Sequence, residues 1–343
     1  MINHDIIVMG ASYGGIEAYL KLVALLPKDL KASVFIVQHI SADHVSYLHD
    51  MLTRNGSLPA VQAQDGKKFK QGRIYVARPN YHLLIKEDHM STPMGPRENR
   101  MRPSIDVLFR SAAVFHNSRV VAVLLSGFLD DGVIGINAVK KCGGITLVQD
   151  PKEAAAPELP QNAIKHAEID HVLPLQELAH RLVEIVDQPA GEPSTFPEEL
   201  MEDIKISEYP MVNIEAMDRL GEKTSLTCPE CGGIVWNLKN EPIARYRCHT
   251  GHSFTTRALL DGQAETIEFS LWSAVRMMDE RVKIINSMVE SDKESGRTRS
   301  IASYEKKIKE LQNHSKIIRN FIMSGLLTAA ISTQEDKNSS HSL

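Results

Sequence analysis

The sequence predicts an α/β protein: a doubly wound, mostly parallel sheet with one hairpin, followed by a small cysteine-built ribbon and an α-helical hairpin. Three observations carry this. Short apolar runs alternate with helical patterns over residues 1–187, the signature of a parallel sheet with helices on its faces. Three of the four cysteines fall between Cys228 and Cys248, which marks a compact local unit. Beyond them, two long stretches place apolar residues at spacings of three and four, a helical periodicity.

Taken in order, strand-like runs cover 5–9, 33–38, 73–77, 82–86, 119–126, 145–149 and 171–174. Helical patterns lie near 15–27, 44–54, 105–116, 132–142, 160–167 and 175–187. The runs at 73–77 and 82–86 are joined by Arg78-Pro79-Asn80-Tyr81 and predict one antiparallel hairpin. Gln188–Pro197 then holds three prolines, and Glu192–Glu222 holds nine acids against two bases. Residues 188–223 are therefore expected as an acidic linker or a loosely packed helical strap. The cysteine unit spans 224–256. A helical hairpin is expected over 257–331, with Ile267, Leu271, Val275, Met278, Val282, Ile285 and Val289 facing Ile301, Tyr304, Ile308, Leu311, Ile318 and Ile322 across a coiled-coil-like seam. The polar tail 332–343 is expected to be disordered.

At 343 residues the length fits two domains or one domain with a long extension. With 43% hydrophobic residues, 24% charged residues and a net charge of −4, no basic nucleic-acid surface is indicated. No apolar run is long enough to cross a bilayer. The chain enters a strand within its first residues, which leaves no room for a signal peptide. A cytoplasmic protein that neither binds nucleic acid nor inserts in a membrane is the expectation.

The chemistry begins at Gly10-Ala11-Ser12-Tyr13-Gly14-Gly15. This G-x-S-x-G turn, set between a strand and a helix, pushes the Ser12 hydroxyl outward, where a nucleophile belongs. Simple turn chemistry and a dinucleotide loop compete with that reading. Ser12 occupies the middle-glycine position of the dinucleotide pattern, and the second strand ends in Gln38-His39 in place of a ribose-binding acid. A serine needs a base, and the base an orienting acid. In an open α/β sheet these gather at the carboxyl ends of strands. His39 ends the second strand, 27 residues after Ser12, and is better placed than His44, His49 or His82. Leu125-Ser126-Gly127-Phe128-Leu129-Asp130-Asp131-Gly132 is another strand end. Either Asp130 or Asp131 could supply the acid, and either could equally be a helix N-cap. The order serine, histidine, acid differs from the serine, acid, histidine order of ordinary α/β-hydrolases.

Over about residues 1–187 the chain resembles the catalytic domain of the chemotaxis protein-glutamate methylesterases. The blocks that carry the resemblance are GASYGG, VQHISADH, GRIYVARPNYHLLI, RPSIDVLFRSAA and LSGFLDDGVIG, followed by GGITLVQDP and LPQNAI, in that order. The resemblance implies Ser12 as nucleophile, His39 as general base and Asp131 as the acid that orients it. The Tyr13 N–H would serve as oxyanion donor and Phe128 as a lining residue. It implies hydrolysis of glutamyl γ-methyl esters on a chemoreceptor-like protein, and deamidation of certain glutamines by the same chemistry, with no catalytic cofactor. Three departures bear on the substrate: Tyr13 where the family usually has Thr or Ala, Phe128-Leu129 where Met-Gly is usual, and LPQNAI in place of a G-M-P block. The best-known members also carry an N-terminal receiver domain, and this chain begins directly at the catalytic domain.

Cys228-Pro229-Glu230-Cys231-Gly232-Gly233 places two thiolates on one tight turn, and Cys248 and His252 complete a Cys3His set after sixteen intervening residues. That pattern predicts a closed structural zinc site. His252 is preferred to His249, because a ligand directly beside Cys248 strains the geometry. Two functions follow. One is a serine esterase. The alternative is a regulatory module that keeps the fold and binds a partner, or a second copy of itself, through 263–325.

Overall fold

The structure is a computed structural model that describes residues 2–192, 194, 198–209, 214–297 and 299–325. The tail 332–343 lies outside the described residues. The chain divides into two compact units, one ending at Leu259 and one starting at Leu260.

The first unit alternates strand and helix: β1 (Ile6–Ala11), α1 (Gly15–Ala24), β2 (Ser33–Gln38), α2 (Leu48–Asn55), β3 (Ala60–Gln62), β4 (Arg73–Val76), β5 (Leu84–Ile85), β6 (Met90–Ser91), α3 (Ile105–His116), β7 (Val120–Leu124), α4 (Val133–Lys141), β8 (Ile145–Gln149), α5 (Glu158–His166), β9 (His171–Leu173) and α6 (Leu175–Val186). Seven strands form one sheet in the order β3-β4-β2-β1-β7-β8-β9, and every pairing in it is parallel. Helices α1, α2 and α6 cover one face, and α3, α4 and α5 cover the other. With both faces buried, β1 and β2 are buried at every residue, which is why they read as unbroken apolar runs. Strand order turns back between β1 and β7, and such switch points open a crevice at the strands' carboxyl ends.

The predicted hairpin between 73–77 and 82–86 is not formed. Strand β4 has no free edge, because β2 pairs with it on one side (Ser33 with Arg73) and β3 on the other (Ala60 with Ile74). The antiparallel element lies one strand further on, where Leu84 pairs with Ser91 and Ile85 with Met90. The three-residue β3 is too short to show a period of two in the sequence.

Part of the acidic stretch packs tightly. It holds α7 (Glu198–Glu208) and α8 (Ile214–Leu220), and α7 buries Ile204 in a cluster with Leu84, Val107 and Val114. Then follows a four-stranded antiparallel sheet, β10 (Gly221–Thr227), β11 (Ile234–Leu238), β12 (Arg245–Cys248) and β13 (Ser253–Thr255). Its small core contains Val235 and Phe254 beside Cys228 and Cys248.

A buried charge cluster joins this small sheet to the α/β layers. The Glu98 carboxylate accepts from Arg110 of α3 at 2.8 Å, from Arg245 at 3.0 Å and Arg247 at 2.9 Å of β12, and from the Ser207 hydroxyl of α7 at 2.7 Å. Asp203 of α7 receives the same three arginines at 2.8–2.9 Å. Burial opposes the Glu98 charge, but Arg110, Arg247 and Arg245 outweigh it and hold the carboxyl well below its usual range. A segment that reads as solvated by composition is therefore ordered by its own acids.

The second unit contains most of α9 (Thr256–Glu294) and all of α10 (Ile301–Met323). Asp279 of α9 meets Ser315 at 3.0 Å and also Arg319 of α10. Val275, Val289 and Leu311 are buried in this unit, and Ile267 is exposed.

Removing one partner of a buried ion cluster leaves the others uncompensated, at a cost of about 3–5 kcal/mol. Glu98→Gln is expected to lower unfolding stability by that order, read by urea denaturation of the full chain.

Candidate active site

Ser12 follows the last residue of β1, and His39 follows the last residue of β2. The register pairs Ala11 with Gln38, so the next residue on each strand emerges at the same edge. The His39 N–H donates to the Ala11 carbonyl at 3.2 Å and the Ser12 N–H to the Ser126 carbonyl at 2.9 Å. The Gln38 side-chain amide donates to the carbonyls of Ser12 (2.7 Å) and His39 (3.1 Å). Three strand ends are thus laced into one floor. Gly14 turns the chain into α1 with φ of 76°, a conformation that a side chain disfavours. A Cβ at Gly127 would stand 2.9 Å from the Ser12 Cβ, so only glycine lets that loop approach the serine.

The structure decides between the two aspartates. His39 Nε2 lies 2.7 Å from Asp131 Oδ2, and both side chains are almost fully buried. Asp130 instead accepts from the Asn162 amide at 2.8 Å. Around Asp131 the donors converge. The Ile105 N–H reaches Oδ2 at 2.7 Å, the Ser104 hydroxyl reaches Oδ1 at 2.8 Å, and the Asn99 amide reaches Oδ1 at 3.1 Å. Two of these come from the start of α3, where exposed backbone N–H groups and the helix dipole favour an anion. Burial pushes the Asp131 carboxyl up, but the His39 bond and charge and these donors prevail and hold it below its usual range.

A second carboxyl, Asp106, is fully buried beside it. It accepts from the N–H groups of Gly132 (2.9 Å) and Gly135 (2.7 Å) and from Asn99 Nδ2 (3.2 Å). Burial first, and then the Asp131 charge, push Asp106 well above the usual carboxylate range. The two adjacent carboxyls are thus pushed in opposite directions, as like charges at close range require. With Asp131 ionised, the proton between the pair sits on His39 Nε2, leaving Nδ1 as the basic nitrogen.

Ser12, Tyr13, Gln38 and His39 line a cleft of about 820 Å³ that Arg97, Arg100 and Arg102 also line. Tyr13 and Phe128 are more than half exposed, and their rings meet at 5.4 Å, forming an aromatic lip at the Ser12 turn. Of the other histidines, His82 is buried and lies 2.8 Å from the Pro96 carbonyl, a structural role. The strand ends gave Ser12, His39 and the acid loop. Sequence reasoning did not give functional weight to Gln38, Asn99, Ser104 or Asp106. For Ser104 and Asp106 a signal existed, since RPSID opens a helix with a serine and an acid at its first positions.

A family model described as CheB methylesterase matches residues 7–182, just over half of the chain. The chain belongs to the CheB methylesterase family. A Leptospira interrogans (serovar copenhageni) protein described as "Putative protein-glutamate methylesterase/protein-glutamine glutaminase" is 36% identical over 185 residues, covering 54% of this chain and 96% of that protein. A protein-glutamate methylesterase/protein-glutamine glutaminase of Methanosarcina acetivorans is 33% identical over 190 residues, about half of each chain. The crystal structure of the Thermotoga maritima CheB methylesterase catalytic domain superposes with a TM-score of 0.52 at 29% identity, over 53% of this chain and 98% of that one. The family match ends at residue 182, before α7 begins.

Outside that match, the donor atoms of Cys228, Cys231, Cys248 and His252 all lie within 4.8 Å of one another. Cys231 and Cys248 sulfurs are 3.7 Å apart, and His252 Nδ1 is 3.5 Å from Cys248 and 3.7 Å from Cys228. Metal–sulfur bonds of about 2.3 Å in a tetrahedron put sulfurs about 3.8 Å apart, so the set fits a tetrahedral ion. The His249 ring lies against Gly233. Cys142 takes no part in this set, and burial pushes its thiol up to about 11.

A carboxyl held below its ordinary value contributes stability that is present above the unfolded value and lost as pH falls through the folded one. The stability gap between the parent chain and Asp131→Asn is accordingly expected to be widest near neutrality and to narrow below about pH 4, as read by urea unfolding at a series of pH values.

Proposed function

We propose that this methylesterase uses Ser12 as its nucleophile, His39 as general base and acid, and Asp131 as the group that orients His39. The observation that carries the assignment is the 2.7 Å His39–Asp131 contact set at the strand end adjacent to Ser12. His39 Nδ1 takes the Ser12 proton as Oγ adds to the γ-carbonyl carbon of a glutamyl methyl ester. The tetrahedral oxyanion lies toward the Tyr13 N–H near the start of α1, where backbone donors and the helix dipole favour negative charge. His39 then returns the proton to the leaving oxygen and methanol departs. Water, deprotonated by the same nitrogen, attacks the acyl carbon and frees Ser12 and glutamate. A glutamine substrate would lose ammonia by the same sequence. The reaction as written uses protein groups and water.

The substrate is a methylated, chemoreceptor-like protein, and the arginines lining the cleft suit the acidic surface that a segment rich in glutamates presents. Since Tyr13 and Phe128 form the lip, we place substrate selection there. The reading puts the protein in the cytoplasm, and among the described residues no helix is long and apolar enough to cross a membrane. The assembled histidine–aspartate pair favours catalysis over a binding module that has lost it.

For the rest of the chain we propose a zinc ribbon over 224–256 with Cys228, Cys231, Cys248 and His252 as ligands. The ion would be structural, because four protein ligands fill a tetrahedron and leave no position for substrate. We also propose that α9 and α10 pair as a helical hairpin whose exposed Phe269, Trp272, Met277, Ile284 and Met288 suit association with a second copy; residues 326–331 of the expected hairpin lie outside the described residues. Residues 188–223 connect the catalytic domain, 1–187, to the ribbon.

A serine-directed fluorophosphonate is expected to label Ser12 of the parent chain and not of Ser12→Ala, with methanol release from methylated receptor membranes lost in the same variant. Asp131→Asn is expected to slow the reaction by about 10⁴-fold. Retained methanol release in Ser12→Ala overturns the assignment. Native mass spectrometry of the full chain is expected to show one zinc per chain and a dimer, with the zinc lost in Cys228→Ser.

A further inference from the structure

The donors around Asp131 come from two directions, both within residues 7–182, and one of them is bonded to the cysteine-built sheet that lies beyond the family match. Ser104 and Ile105 approach from the start of α3. Asn99 approaches from the segment 97–101, which is bonded to the cysteine-built sheet. The Asn99 N–H donates to the Ser253 carbonyl of β13 at 2.7 Å, and the Ser253 N–H donates to the Arg97 carbonyl at 3.2 Å. The Thr255 N–H donates to Asn99 Oδ1 at 2.9 Å. That last bond fixes the amide, since Oδ1 faces β13 and Nδ2 must therefore face the carboxyls. Nδ2 reaches both Asp131 Oδ1 (3.1 Å) and Asp106 Oδ2 (3.2 Å). Asn99 has φ of 50°, a left-handed conformation that asparagine tolerates better than most residues.

From the other end, His252 directly precedes Ser253, and its carbonyl accepts from the Cys248 N–H at 2.9 Å. A metal held by Cys248 and His252 thus fixes both ends of the β12–β13 turn. Below Asn99, Glu98 is gripped by Arg245 and Arg247 of β12. The path from the four metal donors to the acid is one continuous set of short contacts.

We propose that Asn99 is a positioning residue for Asp131 and that the folded Cys3His ribbon sets it. The ribbon then acts as a built-in condition on activity: Asp131 is held for His39 only while β13 is in place. The inference rests on the roles proposed above for Ser12, His39 and Asp131. Chemically, Asn99 does two things. It supplies Asp131 with a donor from the side of β13, and its amide bridges the two carboxyls and so fixes their separation. Loss of β13 frees the amide to turn, and an amide oxygen then faces Asp131.

The test uses the full chain in four forms: parent, Asn99→Ala, a Cys231→Ser/Cys248→Ser double variant, and the combination of all three substitutions. The first readout is the second-order rate of fluorophosphonate labelling at Ser12, on samples whose folded state is checked by circular dichroism. Asn99→Ala and the cysteine variant are each expected to slow labelling by on the order of 10²-fold, the scale of a small misplacement of a reacting group. The combination is expected to be no slower than the worse of the two, because both act on one contact. The second readout is the imidazole nitrogen signal of His39 in ¹⁵N-histidine NMR, which does not depend on turnover. Asn99→Ala and the cysteine variant are expected to move it in the same direction. If the cysteine variant labels at the parental rate, or the two effects multiply, the proposal is overturned. If the parent chain itself does not label, the nucleophile assignment has failed, and the His39 signal decides this proposal alone: unchanged in both variants, it is overturned.

Discussion

The first unit depends on a buried cluster of Glu98 and Asp203 with Arg110, Arg245 and Arg247. Each arginine belongs to a different layer from at least one acid it meets, so α3, α7 and β12 are bound through one set of charges. Such a cluster gives little net stability over an apolar replacement, because desolvation offsets much of the attraction. What it supplies is specificity of arrangement. With the small sheet placed against these five groups, β13 runs beside the segment that carries Asn99.

The site around Ser12, His39 and Asp131 follows the same logic on a smaller scale. Asp131 is buried and would give up its charge if burial alone decided. It keeps the charge because a helix start and two polar side chains aim donors at it. The neighbouring Asp106 receives two backbone N–H groups and an amide, and burial and the Asp131 charge push its carboxyl up. The contact of His39 Nε2 with Asp131 leaves Nδ1 as the ring nitrogen that the acid does not engage.

Much of this was legible in the sequence, and the boundary has a physical cause. Ser12 and His39 could be read because both follow apolar runs, and a parallel register places the residues after such runs at one edge. Strand ends alone left Asp130 and Asp131 open and the resemblance pointed to Asp131, since the choice depends on which carboxyl faces α3, a contact across 26 residues. Strand β4 was found but misassigned, because β3, which takes its free edge, is three residues long and carries no period. Helix α7 looked solvated because its acids are countered by arginines far away in sequence, Arg110 and Arg245. Asn99 gave no signal at all. Its importance lies in two bonds to other segments, and nothing in its neighbours announces either.

Gly14 and Gly127 close the Ser12 turn on two sides, one by its backbone angle and one by its distance from the serine. Any side chain at either position displaces the turn itself. Tyr13 and Phe128, in contrast, point outward and touch little beyond each other. The route by which such a protein can drift to a new target is therefore narrow. Its inner turn is frozen by geometry, and the pair of exposed rings at the rim is where a side chain can change without moving Ser12.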